Sequence, residues 1–356
     1  MLIFNIKKVK QVKANKQEEN SIQSQTLGIE ITSNNKASTL MRMAAKNKAD
    51  IQIEGLFERG AIGMIVAPAK AKKTMLATNL ALSLITKVPF LGRAISPARE
   101  KVLYANLELT PVAFGARLNS MDLRYDFKAC ADNLVIVNRQ ELTNGMDLVD
   151  IKEKKVTKTL FDALIQTVLN EQITTVIIDP LYIVVGEEND NVMMTAVCRE
   201  FERIRTQTSA TVIIVHHTGK GAVDWNEPFL AGRGASSLGG AIEFVLGIEP
   251  KGESGKAIIH HGARNLESCK PITAYFNTET LTWDNEREIS ADKQLDFIMG
   301  EYDELPMKTA EAKSKFNARS IHALIKRSKN YVHLRSCKGR ESTIKRTIKQ
   351  KPLPAT

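Results

Sequence analysis

The chain has 356 residues and a formal net charge of +10 at pH 7. This length favours two domains, one large and one small. No uncharged apolar run reaches the roughly 18 residues that a membrane span requires, so we expect no membrane association. The apolar stretch at residues 1–6 is too short for a signal peptide and lysines follow it, so we expect a cytoplasmic protein.

The four cysteines are widely spaced, which bears on metal binding and on redox state. They are Cys130, Cys198, Cys269 and Cys337, and no C-x-x-C pair occurs. This spacing argues against a zinc site and against a disulfide framework. We expect reduced, structural thiols.

Composition and periodicity divide the chain into three predicted regions. Residues 1–37 are polar and are predicted to be mostly disordered. A short helix is predicted at 38–46, at the start of a core domain that spans 38–287. Residues 288–356 form a helical, increasingly basic C-terminal region with a predicted DNA-binding role.

A phosphate-binding loop is indicated between an apolar run at 62–66 and a helical pattern at 75–85. In the standard loop, G-x-x-x-x-G-K-[ST], backbone N–H groups hold phosphates, Lys reaches the outer phosphates and Ser or Thr binds Mg²⁺. This chain keeps Lys73 and Thr74 but has Ala67 and Lys72 at the two glycine positions. The Lys72 side chain must either point away from the phosphates or join them as an extra cation. The alternative is an ordinary lysine-rich strand-turn-helix corner. The candidate phosphate-binding residues are Ala67, Pro68, Ala69, Lys70, Ala71, Lys72, Lys73, Thr74 and Met75.

Strand-like apolar runs alternate with helical stretches through the core domain. The predicted strands are 63–66, 101–106, 133–137, 174–178, 211–215, 244–248 and 256–260. Such alternation predicts an α/β fold with a mostly parallel sheet and helices on both faces. The Gly-, Ala- and Ser-rich stretch at 219–237 is predicted to be a mobile loop.

Three predicted strands run into residues suited to phosphoryl transfer, at the edge where open α/β sheets bind ligands. Asp179 would hold Mg²⁺, or it is simply a strand-end residue that caps a turn before Pro180. Glu108 would polarise the attacking water, or it is a solvated acid that opens the next helix. His217 would touch the γ-phosphate. The alternative is that His216 and His217 are simply packed or exposed side chains. Metal binding by this pair would need a third ligand.

Most of the positive charge lies near the C-terminus. Residues 308–351 carry fourteen Lys or Arg and two acids, a local charge of +12 that leaves the rest of the chain near −2. This concentration indicates a nucleic-acid partner. The order of helical and strand-like stretches is compatible with a small winged-helix module, and the alternative is a solvated basic tail. The candidate phosphate contacts are Lys326, Arg327, Lys329, Arg335, Lys338 and Arg340.

Four segments together resemble the RepA-type AAA family of RecA-fold ATPases, a branch of hexameric replicative helicases of plasmids and phages. The segments are 67–75, 104–108, 177–181 and 215–220, and the likeness spans roughly residues 40–285. This family also has a loop that lacks the second glycine, written S-K-x-x-K-T-W and similar to residues 69–75. The resemblance implies a RecA-like P-loop core that uses ATP and Mg²⁺.

The resemblance also implies roles for individual residues. Asp179 corresponds to the family's magnesium-site Asp, followed by an altered acidic element at 187–190, and His217 corresponds to a phosphate-sensing residue. Residues 261–277 look like the closing hairpin of DnaB-type helicases, so Arg264 is a candidate arginine finger acting on a neighbouring subunit, or else a surface arginine. The loop with Lys220 and Arg233 occupies the place where such rings contact single-stranded DNA.

These features lead to one leading hypothesis and two alternatives. The leading hypothesis is a Mg²⁺-dependent ATPase that forms a homo-oligomeric ring, such as a hexamer, and acts on single-stranded DNA during replication of a mobile element. A replication initiator or primase is a candidate partner. The first alternative is a DNA-binding regulator in which ATP acts as an assembly switch with slow or no hydrolysis. The second is a recombination or repair ATPase that forms filaments.

Overall fold

The computed structural model comprises two compact units, Met1–Ala49 and Asp50–Thr356. It describes residues 36–46, 49–139, 141, 149–150, 155–156, 158–185, 191–219, 221–232, 238, 240–252, 255–285, 295, 299, 302, 304–314, 321–322, 325–326, 331–334 and 342–346. In the first unit, helix α1 spans Ala37–Lys46 and confirms the helix predicted there. Within the described residues, no helix is both long enough and apolar enough to cross a membrane.

A nine-stranded sheet forms the centre of the second unit. Its strands are β3 (Ile62–Ala67), β4 (Val102–Asn106), β5 (Leu134–Asn138), β8 (Thr175–Asp179), β9 (Thr211–His217), β10 (Phe244–Pro250), β11 (Lys256–Ala263), β12 (Ile272–Asn277) and β13 (Thr282–Asn285). Their order is β13-β12-β11-β10-β3-β9-β8-β4-β5. The six strands from β10 to β5 are parallel, and β11, β12 and β13 extend the sheet antiparallel. All seven predicted strands are therefore confirmed.

Helices cover both faces of this sheet. They are α2 (Lys73–Thr86), α3 (Pro111–Tyr125), α4 (Lys158–Asn170), α5 (Leu181–Val185) and α6 (Asn191–Thr208), with 3₁₀ turns at Lys128–Asn133 and Pro228–Leu230. Side chains alternate between the faces of a strand. Phe244, Leu246 and Ile248 of β10 accordingly join the core cluster that contains α2, whereas Val245 joins the cluster that contains α4 and α6. The predicted α/β class, with helices on both faces of a mostly parallel sheet, is confirmed.

A buried polar network fastens the short strands β1 (Ile51–Ile53) and β2 (Phe57–Glu58) to the amino edge of the sheet. Its members are Gln52, Arg59, Glu100, Thr174, Thr175 and Thr211. Glu100 is 2% exposed and accepts hydrogen bonds from Gln52 Nε2 at 3.0 Å and from an Arg59 guanidinium nitrogen at 2.7 Å. The network satisfies polar groups that would otherwise be costly to bury.

Two further small sheets complete the described structure. Strands β6 (Val149–Asp150) and β7 (Lys155–Val156) form a two-stranded sheet. Near the C-terminus, β14 (Glu304–Pro306), β15 (Tyr331–Leu334) and β16 (Thr343–Arg346) form an antiparallel sheet in the order β14-β16-β15, with helix α7 at Met307–Ser314. This part has its own core, which includes Leu305, Ile321 and Ile344. The predicted domain boundaries at residues 37 and 287 stay predictions.

Candidate nucleotide-binding site

The predicted phosphate loop connects the central strand of the sheet to a helix. Strand β3 is buried over its whole length and ends at Ala67, and α2 begins at Lys73. The unpaired N–H groups at the start of α2 and the positive end of its dipole favour an anion at this edge of the sheet. The local structure is therefore the strand-loop-helix arrangement that a phosphate site needs.

Lys72, at the second glycine position, adopts the left-handed conformation that usually favours glycine. Its φ is 62° and its ψ 38°, and it is the N-cap of α2. Its ammonium lies 4.3 Å from the centre of the Phe276 ring, and Trp283 Nε1 donates to its carbonyl oxygen at 3.5 Å. Strands β12 and β13 thus brace this part of the loop, and the cation–π contact helps to offset the strain of a side chain at positive φ.

Replacing Lys72 separates the role of its backbone from that of its charge. Lys72→Gly is expected to retain nucleotide affinity within about threefold, because glycine adopts positive φ without strain. Lys72→Val is expected to weaken binding by about tenfold or more, because a β-branched residue is strained there. Calorimetric titration with Mg²⁺·ADP measures both. An equal loss in the two variants would show that the ammonium on Phe276, and not the backbone, is required.

Lys73 is almost completely buried, with its ammonium against the loop backbone. Lys73 Nζ donates to the carbonyl oxygens of Ala67 at 3.3 Å and Pro68 at 3.1 Å, and it lies 3.1 Å from His217 Nδ1. The ammonium is thus held between the phosphate loop and the end of β9. Lys70, which also has positive φ, has an exposed side chain.

Asp179 and Thr74 meet at the carboxyl end of β8. Asp179 is 5% exposed and accepts from Tyr104 Oη at 2.6 Å and from the Thr74 hydroxyl. Burial raises the pKa of Asp179, and the hydrogen bonds from Tyr104 and Thr74 partly oppose that effect. An adjacent carboxylate and hydroxyl are oxygen ligands that suit Mg²⁺, so these residues fit the ion that the sequence predicted.

Glu108 and His217 lie on either side of Asp179. Leu107 N donates to Asp179 O at 2.9 Å, which places the next residue, the exposed Glu108, beside the buried carboxylate. The negative charge of Glu108 also raises the pKa of Asp179, after the larger effect of burial. The His217 ring lies 5.9 Å from the ring of Tyr182, which follows Asp179 by three residues. The predicted water-polarising acid and phosphate sensor are thus at the same edge as Lys73.

Arg264 lies at the opposite edge of the sheet. It follows β11, whose last residue, Ala263, pairs with Phe244, and Phe244 pairs with Gly63. The phosphate loop begins four residues beyond Gly63, about 13 Å along the strand direction. The exposed Arg264 guanidinium lies 5.6 Å from the Phe229 ring. It is therefore separated from the phosphate loop of its own chain, and its role on a neighbouring subunit stays a prediction.

Most predicted DNA contacts fall outside the described residues. These are Lys220, Arg233, Arg327, Lys329, Arg335, Lys338 and Arg340, and the acidic element at 187–190 also lies there. Lys326 is described and has an exposed side chain. Its contact with DNA stays a prediction.

Tyr104 is a site residue to which the sequence analysis assigned no role. It is completely buried in β4, and its hydroxyl joins Asp179 to Thr78 and to the carbonyl oxygen of Thr74. Burial, followed by the Asp179 charge, raises the pKa of Tyr104 well above its ordinary value, so the phenol stays a donor. A tyrosine in a fully buried strand needs a polar partner for its hydroxyl, and that requirement is the signal that could have identified it.

Comparisons with known proteins place these observations in a family. No curated protein matches the chain. Among solved structures, a KaiC-like protein of the hyperthermophilic archaeon Pyrococcus horikoshii OT3 is 14% identical, with a TM-score of 0.45, and the match covers 66% of this chain and 94% of that one. A family model described as "AAA domain" (AAA_25) matches residues 41–223, which is more than half of the chain and includes the loop, Asp179 and His217. The chain therefore belongs to this AAA domain family, with an α/β core of the P-loop ATPase class.

Proposed function

We propose that the chain is a Mg²⁺-dependent ATPase of the RepA- and DnaB-like helicase group, acting on single-stranded DNA in the replication of a mobile element. One observation carries the proposal. Lys73 and Thr74 begin α2, Asp179 ends β8 and His217 ends β9, and the four residues meet at the carboxyl edge of the sheet. Phosphoryl transfer requires a cation on the phosphates, oxygen ligands for a metal and groups that order the reactants, and this arrangement supplies each of them.

Each residue has a role that follows from its position. Lys73 and the N–H groups at the start of α2 would bind the outer phosphates. Thr74 and Asp179 would hold Mg²⁺, which neutralises charge that develops on the phosphate oxygens. Tyr104, through its hydrogen bond, fixes the orientation of the Asp179 carboxylate. Glu108 is exposed at the same edge and would accept a proton from the attacking water.

The distribution of charge supports single-stranded DNA as the partner. The excess of positive charge lies in residues 308–351, and the described residues between 295 and 346 form a core and a three-stranded sheet. A basic folded module on a near-neutral body is suited to binding phosphate backbones without choosing a sequence. In this proposal the module holds the DNA while the core domain hydrolyses ATP.

Subunit mixing tests the role of Arg264 on a neighbouring subunit. Arg264→Ala and Lys73→Ala subunits are each expected to be inactive alone. Mixed, they should regain part of the turnover, because an intact Lys73 site can face an intact Arg264 of a Lys73→Ala neighbour. Arg99→Ala serves as the control for loss of a surface arginine. Absence of recovery, with co-assembly shown by differently tagged subunits, would contradict an arginine finger acting between subunits.

Strand displacement distinguishes the proposed helicase from its alternatives. The purified protein, with Mg²⁺ and ATP, is expected to separate a forked DNA duplex that has a single-stranded tail. The slowly hydrolysed analogue ATPγS should support DNA binding with little or no displacement. DNA binding with ATP but no displacement would contradict the helicase role and favour the ATP-switched regulator. Filaments instead of rings in negative-stain images would favour the recombination or repair ATPase.

A further inference from the structure

The side chain of Asn106 closes the turn that carries Glu108. Asn106 is the last residue of β4 and is 3% exposed. Its Nδ2 donates to Leu109 O at 2.8 Å, and its Oδ1 accepts from Leu109 N at 3.2 Å. A short amide side chain can bond nearby backbone groups in this way and so fix a local turn. The two hydrogen bonds hold Leu107 and Glu108 in a closed turn at the end of the strand.

The neighbouring edge strand holds the Asn106 side chain in this orientation. Asn138 ends β5 and lies opposite Asn106 in the parallel pairing of β4 and β5. Asn138 Oδ1 accepts from Asn106 Nδ2 at 2.9 Å. Glu141 Oε2 in turn accepts from Asn138 N at 2.8 Å and from Asn138 Nδ2 at 3.2 Å. The Asn106 amide thus has partners for its carbonyl oxygen and for both N–H donors, which fixes its orientation.

The residues on either side of Glu108 are anchored on opposite faces of the sheet. Leu107 belongs to the core cluster that contains α4 and α6, and Leu109 packs against the cluster that contains α2. Leu107 N also donates to Asp179 O at 2.9 Å, and Thr110 caps α3 through its side chain. The Glu108 side chain is exposed between these anchors. Its position is therefore set by the backbone of the turn and not by packing.

We propose that Asn106 is a positioning residue that holds Glu108 where it accepts a proton from the attacking water. The inference rests on the proposed ATPase function and on the role that Glu108 has in it. A general base must lie within hydrogen-bond reach of the proton that it accepts, and a displacement of about 1 Å can cost about a hundredfold in rate. The hydrogen bonds of the Asn106 side chain go to Leu109 and Asn138 and not to the phosphate loop. Loss of this side chain should therefore impair turnover much more than nucleotide binding.

A double-mutant cycle with Glu108 tests this role. Asn106→Ala is expected to lower kcat by about thirty- to a hundredfold, while the Kd of Mg²⁺·ADP from calorimetric titration changes by less than about threefold. Glu108→Gln should lower kcat by about a hundredfold or more. In the double variant, Asn106→Ala should cost less than about a further threefold, because the base that it positions is already lost. Single-turnover hydrolysis of γ-labelled ATP, followed over hours, measures the slow variants.

The outcomes of this cycle separate the positioning role from the proposed function. Equal losses from Asn106→Ala in the parent and in the Glu108→Gln background would overturn the positioning role and leave the ATPase standing. A loss of ADP affinity as large as the loss of kcat would do the same. Full turnover of Glu108→Gln would remove Glu108 as the base, and the positioning role with it. A parent chain that hydrolyses no ATP would contradict the proposed function itself.

Two further variants distinguish positioning from a purely structural effect. Thr110→Ala removes the N-cap of α3 but leaves the closed turn intact, so it should lower the midpoint of urea unfolding with kcat within about threefold of the parent. A loss of kcat in Thr110→Ala as large as that in Asn106→Ala would overturn the proposal. Asn138→Ala removes one hydrogen bond from Asn106, so kcat should fall about fivefold with unchanged ADP affinity. Should Asn106→Ala not fold, Asn138→Ala decides, and a kcat equal to that of the parent would overturn the proposal.

Discussion

Lys73→Ala is expected to lower ATP turnover by about a thousandfold, the loss typical of removing a group that stabilises transition-state charge. The buried ammonium of Lys73 is held by the Ala67 and Pro68 carbonyl oxygens and by His217, at the place where outer phosphates would lie. No other described cation is positioned in this way within the loop, since Lys70 is exposed and Lys72 lies on Phe276. A coupled-enzyme assay with saturating Mg²⁺·ATP measures the loss.

The matched control for Lys73→Ala is Lys128→Ala. The Lys128 side chain is 80% exposed and pairs with Asp122, so its removal should leave turnover within about twofold. Both variants should keep the far-ultraviolet circular dichroism of the parent, because neither side chain forms part of the hydrophobic core. Full activity of Lys73→Ala would contradict the phosphate-loop assignment.

Glu100→Ala is expected to destabilise the protein by about 3–5 kcal/mol, the usual effect of removing one partner of a buried ion pair. Removal of the Glu100 carboxylate would leave Arg59 without its buried partner, and it would remove an acceptor for the side chains of Gln52 and Thr174. These residues fasten β1 and β2 to the amino edge of the sheet. The midpoint of urea unfolding, followed by circular dichroism, measures the change.

Two companion variants make the Glu100 prediction specific. Glu100→Gln keeps the size of the side chain and some of its hydrogen bonds, so a smaller loss of about 1–3 kcal/mol is expected. Glu171→Ala removes a half-exposed acid that pairs with Lys101, and a surface ion pair of this kind contributes about 1 kcal/mol or less. Equal midpoints for Glu100→Ala and Glu171→Ala would contradict a stabilising role for the buried network.

The parallel core of the fold could be predicted from the sequence because its strands are buried on both faces. Such strands appear as short continuous apolar runs, as in β3, β8 and β9. Strand β13, Thr282–Asn285, was not predicted because three of its four residues are polar. It is nevertheless buried, since its polar groups find partners: Asp284 pairs with Arg124 at 2.6 Å, and Asn285 Nδ2 donates to Leu91 O at 2.8 Å. Long-range contacts of this kind leave no periodic signal in the sequence.

The candidate site, like the fold, could be predicted in part from the sequence. Strand ends brought Lys73, Asp179 and His217 together, because the carboxyl ends of parallel strands share one edge. The conformation of Lys72 was not predictable, since it depends on Phe276 and Trp283, about 200 residues away in the chain. The direction of the Lys72 side chain was accordingly left open between two alternatives, and the structure places its ammonium on the Phe276 ring.

The most direct test of the proposed function is the steady-state rate of ATP hydrolysis by the full chain, with and without single-stranded DNA. With Mg²⁺ present, we expect measurable hydrolysis that single-stranded DNA stimulates by about tenfold, on the scale of coupling between two sites. Omission of Mg²⁺ should abolish it, because in the proposed mechanism Thr74 and Asp179 hold an ion that the reaction requires. Turnover that is absent under every condition, or that is equal with and without DNA, would contradict a DNA-stimulated ATPase.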